Sequence, residues 1–92
     1  MGAARFRLGR VVATLGGLAA LGRANEEPAR FLARHVTGDW GDLDDDDRLE
    51  NERSIQNGCR LLSAYLLGDG TKIWIITEAD RSATTILLPE EY

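Results

Sequence analysis

Apolar and turn-forming residues alternate through the C-terminal third of the chain in a pattern that predicts a small antiparallel sheet. Three runs rich in aliphatic and β-branched residues, at 60–67, 71–77 and 82–88, are separated by two short polar stretches, 68–70 and 78–81. The middle run is apolar at successive positions, as a central strand covered on both faces should be. We therefore predict a three-stranded antiparallel meander with 71–77 in the middle.

The N-terminal half carries the pattern of a short strand followed by two helices. Residues 6–13 alternate between apolar and polar positions, and Thr14 is placed to cap a helix over 15–21. Asn25 is a favoured N-cap for a second helix, which has Pro28 in its first turn and ends near a glycine. This half of the chain is therefore predicted to be mainly helical.

A third helix is predicted where the chain is most acidic. Asp42 or Asp44 can cap it, the acids in its first turn suit the helix dipole, and it should run to about Asn57. The elements together predict a single α+β domain over 1–92. In it, a short N-terminal strand and two to three helices pack on a C-terminal three-stranded antiparallel meander.

Negative charge is concentrated in that same stretch. The net charge is −4 over 92 residues, but residues 39–52 hold eight acids and one base, a net charge of −7, which leaves +3 elsewhere. These carboxylates are either a solvated helix start or an acidic face that binds a basic surface on a protein partner. Such a face can imitate the phosphates that nucleic-acid-binding proteins recognise. The candidate binding residues are Asp42, Asp44, Asp45, Asp46, Asp47 and Glu50.

The acidic stretch superficially resembles a calcium-binding loop. If Asp42, Asp44 and Asp46 are aligned with the first three ligands, Asp47 falls where glycine is required and Arg53 where a bidentate glutamate is required. We therefore predict no metal site, with loose magnesium or calcium binding as the remaining metal hypothesis. No cofactor is predicted.

A small ribonuclease is the alternative function. Compact microbial ribonucleases place helices before a small antiparallel sheet, and their sites combine a carboxylate, arginines and a histidine. Glu78, Arg81 and His35 supply those residue types here, and catalysis requires all three to meet in one open cleft. His35 also fits a packed or dipole-stabilised position near a helix end. Direct nucleic-acid binding is expected only under this alternative.

The two tryptophans are expected in the core rather than at a stacking site. Trp74 lies within the predicted central strand, and Trp40 is placed to close one end of the sheet. An indole buries a large apolar area, which favours packing over ligand binding.

The chain is predicted to be cytoplasmic. Cys59 is the only cysteine, which suits a reducing compartment, and it has no partner for a metal site. Arginines followed by the apolar residues 11–22 resemble a signal peptide, but Gly16 and Gly17 interrupt the run and no clear cleavage site follows. The run is also shorter than the roughly 20 apolar residues that span a bilayer, so no membrane association is predicted.

Two segments carry a resemblance to a known group of proteins. They are Gly-Asp-Trp-Gly-Asp-Leu at 38–43 and Lys-Ile-Trp-Ile-Ile-Thr-Glu-Ala-Asp-Arg at 72–81, and the similarity extends from Leu8 to Tyr92. The chain resembles a family of short orphan proteins encoded on bacterial plasmids and integrated mobile elements. Such proteins are often labelled as type I restriction-modification methyltransferase subunits. A methyltransferase needs a doubly wound sheet with a glycine-rich cofactor loop, which 92 residues ending in a meander do not provide.

The sequence therefore favours a non-enzymatic interaction protein. The resemblance implies an accessory or anti-defence factor of a mobile element. Its acidic face would bind a basic protein partner, and the ribonuclease using Glu78, Arg81 and His35 remains the alternative.

Overall fold

One strand, three helices and three further strands follow one another along the chain. A computed structural model describes residues 2–92. The elements are β1 (Arg10–Ala13), α1 (Leu15–Ala24), α2 (Pro28–Val36), α3 (Asp45–Asn57), β2 (Leu61–Leu66), β3 (Lys72–Thr77) and β4 (Ala83–Leu87), with a final 3-10 turn at Pro89–Glu91.

The strands form one mixed sheet in the order β1-β4-β3-β2. Strands β2, β3 and β4 are the predicted antiparallel meander with β3 in the middle, so the α+β prediction is confirmed. Strand β1 adds a fourth member by pairing in parallel with β4, with Val11 opposite Thr84. The sheet is therefore one strand wider than the meander itself.

Two predicted boundaries were wrong for reasons of backbone conformation. Strand β1 begins at Arg10 because Gly9 has a positive φ of 65°, and an added Cβ there would lie 2.4 Å from the Ser82 backbone. Asn25 does not cap the second helix. It ends α1 in a left-handed conformation (φ 55°), and its N–H donates to the carbonyl of Gly22. Thr14 caps α1 as predicted, accepting from the N–H of Gly17 at 3.0 Å.

The hydrophobic core lies between α1, α2 and one face of the sheet. Helix α1 approaches closely because Gly17 has no side chain, and a Cβ there would lie 2.9 Å from the carbonyl oxygen of Ile86. The buried cluster consists of Ala20, Leu21, Phe31, Tyr65, Leu67, Ile73, Ile75 and Ile86. Because side chains alternate along a strand, these positions leave the intervening residues on the opposite face.

Trp74 lies on that opposite face, so the prediction that it is a core residue was wrong. It alternates with the buried Ile73 and Ile75 and is only half-buried. The ring of Tyr92 contacts it edge-on, with centroids 5.7 Å apart. The apolar pattern of β3 predicted a strand covered on both faces, but this face is covered only in part.

The outer edge of β2 is closed by side chain and loop contacts. Asn51 of α3 acts like a neighbouring strand, because its amide donates to the carbonyl of Leu62 at 2.6 Å and accepts from the Leu62 N–H at 3.1 Å. Two residues further on, the Ala64 N–H donates to the Trp40 carbonyl, and the Ala64 carbonyl accepts from the Asp42 N–H. These bonds hold α3 and the loop before it against the sheet.

We expect Asn51→Ala to destabilise the fold by about 2 kcal/mol, because both polar groups of Leu62 lose their partner in a partly buried place. Chemical denaturation of the variant measures the loss. Gln56→Ala, at an exposed position of the same helix, is the matched control and should stay near wild type. Equal stability of the two variants would contradict this role for Asn51.

Candidate functional site

The acidic face consists of the six predicted carboxylates, and all six are exposed. Asp44 is the N-cap of α3, and its side chain accepts from the Asp47 N–H at 2.8 Å. Asp45, Asp46 and Asp47 occupy the first turn, where the positive end of the helix dipole favours negative charge. The helix therefore presents several carboxylates from a rigid support.

Three members of the acidic face have basic neighbours. Asp45 lies 3.7 Å from Arg48, Glu50 lies 3.5 Å from Arg53, and Asp42 lies 3.4 Å from Lys72. These exposed pairs contribute little to stability, because water and salt screen them. Among residues 2–92, Asp44, Asp46 and Asp47 form no ion pair.

Two other acids of the same stretch belong to the fold rather than to this face. Asp39 is bound by Arg34, and Glu52 is bound in a bidentate manner by Arg5 at 2.9 and 2.8 Å. Hydrogen bonds from these arginines lower the pKa of both carboxyls. The net charge of −7 over residues 39–52 is therefore partly neutralised by arginines from outside that stretch.

A groove of about 340 Å³ runs beside the acidic face, between α3 and β2. Asp47 and Glu50 belong to the acidic face and also line the groove, whereas Leu43 and Leu62 give the groove apolar walls. The remaining lining residues are Asn51, Ser54, Cys59 and Arg60. Cys59, the only cysteine, is exposed there.

Arg60 does not neutralise the carboxylates of the groove. Its guanidinium donates to the Tyr92 hydroxyl and lies 5.2 Å from the centroid of that ring. A segment that combined basic and apolar side chains would match the groove and its acidic border.

His35 lies in the core and is fully buried, so the prediction of a packed residue is confirmed. Its Nδ1 is 2.5 Å from the Ser63 hydroxyl, and its Nε2 is 2.9 Å from the Thr77 hydroxyl. Thr77 is bonded in turn to Thr84, whose hydroxyl donates to the carbonyl of Leu8 at 2.7 Å. The chain of hydroxyls ties α2 to three strands and to the N-terminal segment.

The carbonyl at the end of that chain fixes the tautomer of His35. A carbonyl only accepts, so Thr84 donates to Leu8, and Thr77 must donate to Thr84. The oxygen of Thr77 then accepts from the Nε2–H of His35, which leaves Nδ1 to accept from Ser63. Burial, with a contribution from the charge of Arg81, lowers the pKa of His35 to about 4.

The three residues of the ribonuclease alternative do not share an open cleft. His35 is inaccessible to solvent, whereas Glu78 is exposed beyond the end of β3. Arg81 donates hydrogen bonds to four backbone carbonyls, those of Ser54, Cys59, Glu78 and Ala79. Its guanidinium therefore joins the end of α3 to the β3–β4 turn.

The polar chain around His35 was missed by sequence reasoning. Its signal is the placement of Ser63 and Thr77 on the strand face that otherwise carries core residues, with a hydroxyl at Thr84 on the next strand. Small hydroxyl side chains on a buried face indicate a polar partner inside the core.

Trp40 is buried, as predicted, but it lies beside the outer edge of β2 rather than at the end of the sheet, because its carbonyl accepts from the Ala64 N–H. Its ring stacks on Phe6 at 6.1 Å and meets His35 edge-on at 5.8 Å. Its Nε1–H donates to Glu52 at 3.0 Å. Trp40 therefore connects the core around His35 to α3, which carries the acidic face.

Comparisons with known proteins give no relative on which to base a function. No protein-family model, curated protein or solved structure matches this chain. The described part of the chain contains no helix long and apolar enough to cross a membrane, and residues 2–92 hold no cluster of metal-ligating side chains. The resemblance to mobile-element proteins stays a prediction.

Stability should fall as the pH drops, because His35 is neutral in the fold. Its pKa is about 4 when folded and about 6.5 when unfolded, so the unfolded chain takes up more protons in that interval. The His35 contribution is complete above pH 6.5 and is lost as the pH falls toward 4. Between pH 7.5 and pH 5 the expected loss is about 2 kcal/mol.

Urea denaturation at the two pH values measures this loss, and His35→Gln should remove most of it. Because His35 is the only histidine, NMR titration of its ring protons gives its pKa directly in the wild-type protein. A value near that of a free histidine would contradict the buried neutral state.

Proposed function

We propose that this chain is a non-enzymatic interaction protein whose acidic face binds a basic surface on a protein partner. The observation that carries the proposal is the exposure of all six carboxylates on the first two turns of α3 and the loop before it, three of them without an ion pair among the described residues. Carboxylates held together in this way attract a basic surface and speed its association.

The support beneath the acidic face favours recognition over a merely solvated helix. Asn51 fixes α3 to the edge of β2, and Glu52 of the same helix is held by Arg5 and Trp40. A rigid support lowers the entropy lost when a partner binds. The adjoining groove adds the apolar surface of Leu43 and Leu62, which gives a partner more than charge to contact.

Binding is favoured over catalysis by the surroundings of His35. Both imidazole nitrogens are engaged inside the core, and the guanidinium of Arg81 is occupied by backbone carbonyls. A ribonuclease needs these groups at a substrate. The interaction hypothesis is supported because its candidate residues, the carboxylates of the acidic face, are exposed on the surface.

The resemblance to small proteins of plasmids and mobile elements supports a more specific role. We infer that the partner is a nucleic-acid-binding protein of the host and that the carboxylates of the acidic face take the place of phosphates. The chain would then act as a cytoplasmic accessory or anti-defence factor. No cofactor is required for this role.

Neutralising the first turn of α3 should weaken capture of a basic probe without unfolding the protein. The variant Asp45→Asn, Asp46→Asn, Asp47→Asn keeps side-chain size and leaves the Asp44 cap in place. A short fluorescent peptide of arginine and leucine is the probe, and its anisotropy gives the affinity at several salt concentrations. We expect about a tenfold loss of affinity and a weaker salt dependence.

The matched control carries the same change of charge elsewhere on the surface. It is Glu27→Gln, Glu78→Gln, Glu90→Gln, three exposed positions outside the acidic face. Equal losses in the two triple variants would show that net charge alone attracts the peptide and would remove the acidic-face proposal. Circular dichroism establishes that each variant is folded.

A further inference from the structure

Strand β1 has an open outer edge. The N–H groups of Arg10 and Thr14 donate to the carbonyls of Ser82 and Ile86, each at 2.9 Å, so alternate residues of β1 face β4. The intervening residues, Val11 and Ala13, direct their N–H and C=O groups away from the sheet. No strand among residues 2–92 pairs with these four groups.

The two edges of the sheet are therefore unlike. The β2 edge is closed at Leu62 by Asn51 and at Ala64 by the loop around Gly41. An open edge is a template for pairing with another strand, and natural proteins commonly cover or interrupt such edges. Here one edge is covered and the other is not.

Exposed apolar side chains accompany the open edge. Seven large apolar side chains of residues 2–92 are exposed, and four of them lie between positions 11 and 18. They are Val11 and Val12 on β1 and Leu15 and Leu18 on α1, with Leu15 88% exposed. Apolar surface concentrated beside unpaired backbone groups marks an interaction site.

We propose that β1 pairs with β1 of a second copy of this chain, antiparallel, about a two-fold axis that passes between the Val12 residues of the two copies. In this register Val11 lies opposite Ala13 of the second copy, and each exchanges N–H and C=O bonds with the other. Symmetry repeats the exchange, so all four outward groups of each copy are paired. The two Val12 side chains meet across the axis in a non-hydrogen-bonded pair, where strands approach most closely.

The charges of the molecule are compatible with this register and argue for a second copy as the occupant. Arg10 falls opposite Thr14 of the second copy, so the two arginines do not face each other. The acidic face lies at the other edge of the sheet, where the Asp42 N–H bonds to Ala64 of β2. In a sheet of eight strands the two β2 edges are roughly 34 Å apart, several times the screening length of physiological salt.

The same symmetry leaves a closed dimer rather than a growing fibre. A two-fold axis uses each open edge once, and the outer edges of the new sheet are the closed β2 edges. Both copies of α1 come to lie on one side of the sheet. The dimer would carry two acidic faces, one at each end. Formation of the dimer does not depend on what those faces bind.

Sedimentation equilibrium from micromolar to submillimolar concentration tests the proposal on the wild-type protein. We expect a monomer–dimer equilibrium. Val11→Pro removes an outward N–H but no bond to β4, and proline is tolerated at such edge positions. It should raise the dimer dissociation constant at least about tenfold. Val11→Thr, which keeps the N–H and the β-branched shape, is the matched control and should still dimerise.

Amide hydrogen exchange locates the contact without any substitution. The N–H groups of Val11 and Ala13 should become protected as concentration rises, whereas that of Val12, already bonded to β4, should not change. A wild-type chain that stays monomeric throughout the range would overturn the proposal. So would a dimer in which the exchange of Val11 and Ala13 is independent of concentration, and this criterion holds even if Val11→Pro does not fold.

Discussion

The imidazole of His35 is hydrogen-bonded at both nitrogens inside an apolar core, and much of the molecule is arranged around that requirement. A buried polar group without partners costs more than a hydrogen bond gains, so Ser63 and Thr77 must lie where the ring can reach them. This condition fixes the position of α2 over the sheet. Through Thr84 and the carbonyl of Leu8 it also fixes the segment that leads into β1.

The same ring connects the core to the acidic helix. Trp40 and Phe6 pack edge-on against the imidazole, and Trp40 donates to Glu52 on α3. Arg5, on the N-terminal segment, completes the contact by binding the same carboxylate. A helix with little apolar surface of its own is thus held by a few directed bonds. That explains how a markedly polar sequence can form a stable helix at the surface.

Local sequence signals predicted the helices and strands, whereas contacts between residues distant in sequence determined the strand pairing and the burial that the sequence did not predict. The meander followed from turn residues between alternating runs, and the cap of α3 was narrowed to Asp42 or Asp44 because capping is a property of adjacent residues. The parallel pairing of β1 with β4 joins segments more than 70 positions apart, and no local pattern indicates it. Trp74 was misplaced for a related reason, because alternation gives the face of a strand but not what covers that face.

The candidate site was predictable as a set of residues but not as a surface. In the sequence, the eight acids from Asp39 to Glu52 form a single charged feature. Arginines outside that stretch bind two of them: Arg34, only five residues before Asp39, binds Asp39, and Arg5, 47 positions away, binds Glu52. Bound carboxylates of this kind stabilise the fold, and so does Asp44 as the cap of α3, whereas Asp46 and Asp47 form no ion pair among residues 2–92. The proposed binding role and the stabilising role therefore fall largely on different acids of one helix and its preceding loop. Substitution of Asp45, Asp46 and Asp47 can test binding while the arginine-bound acids and the Asp44 cap stay in place.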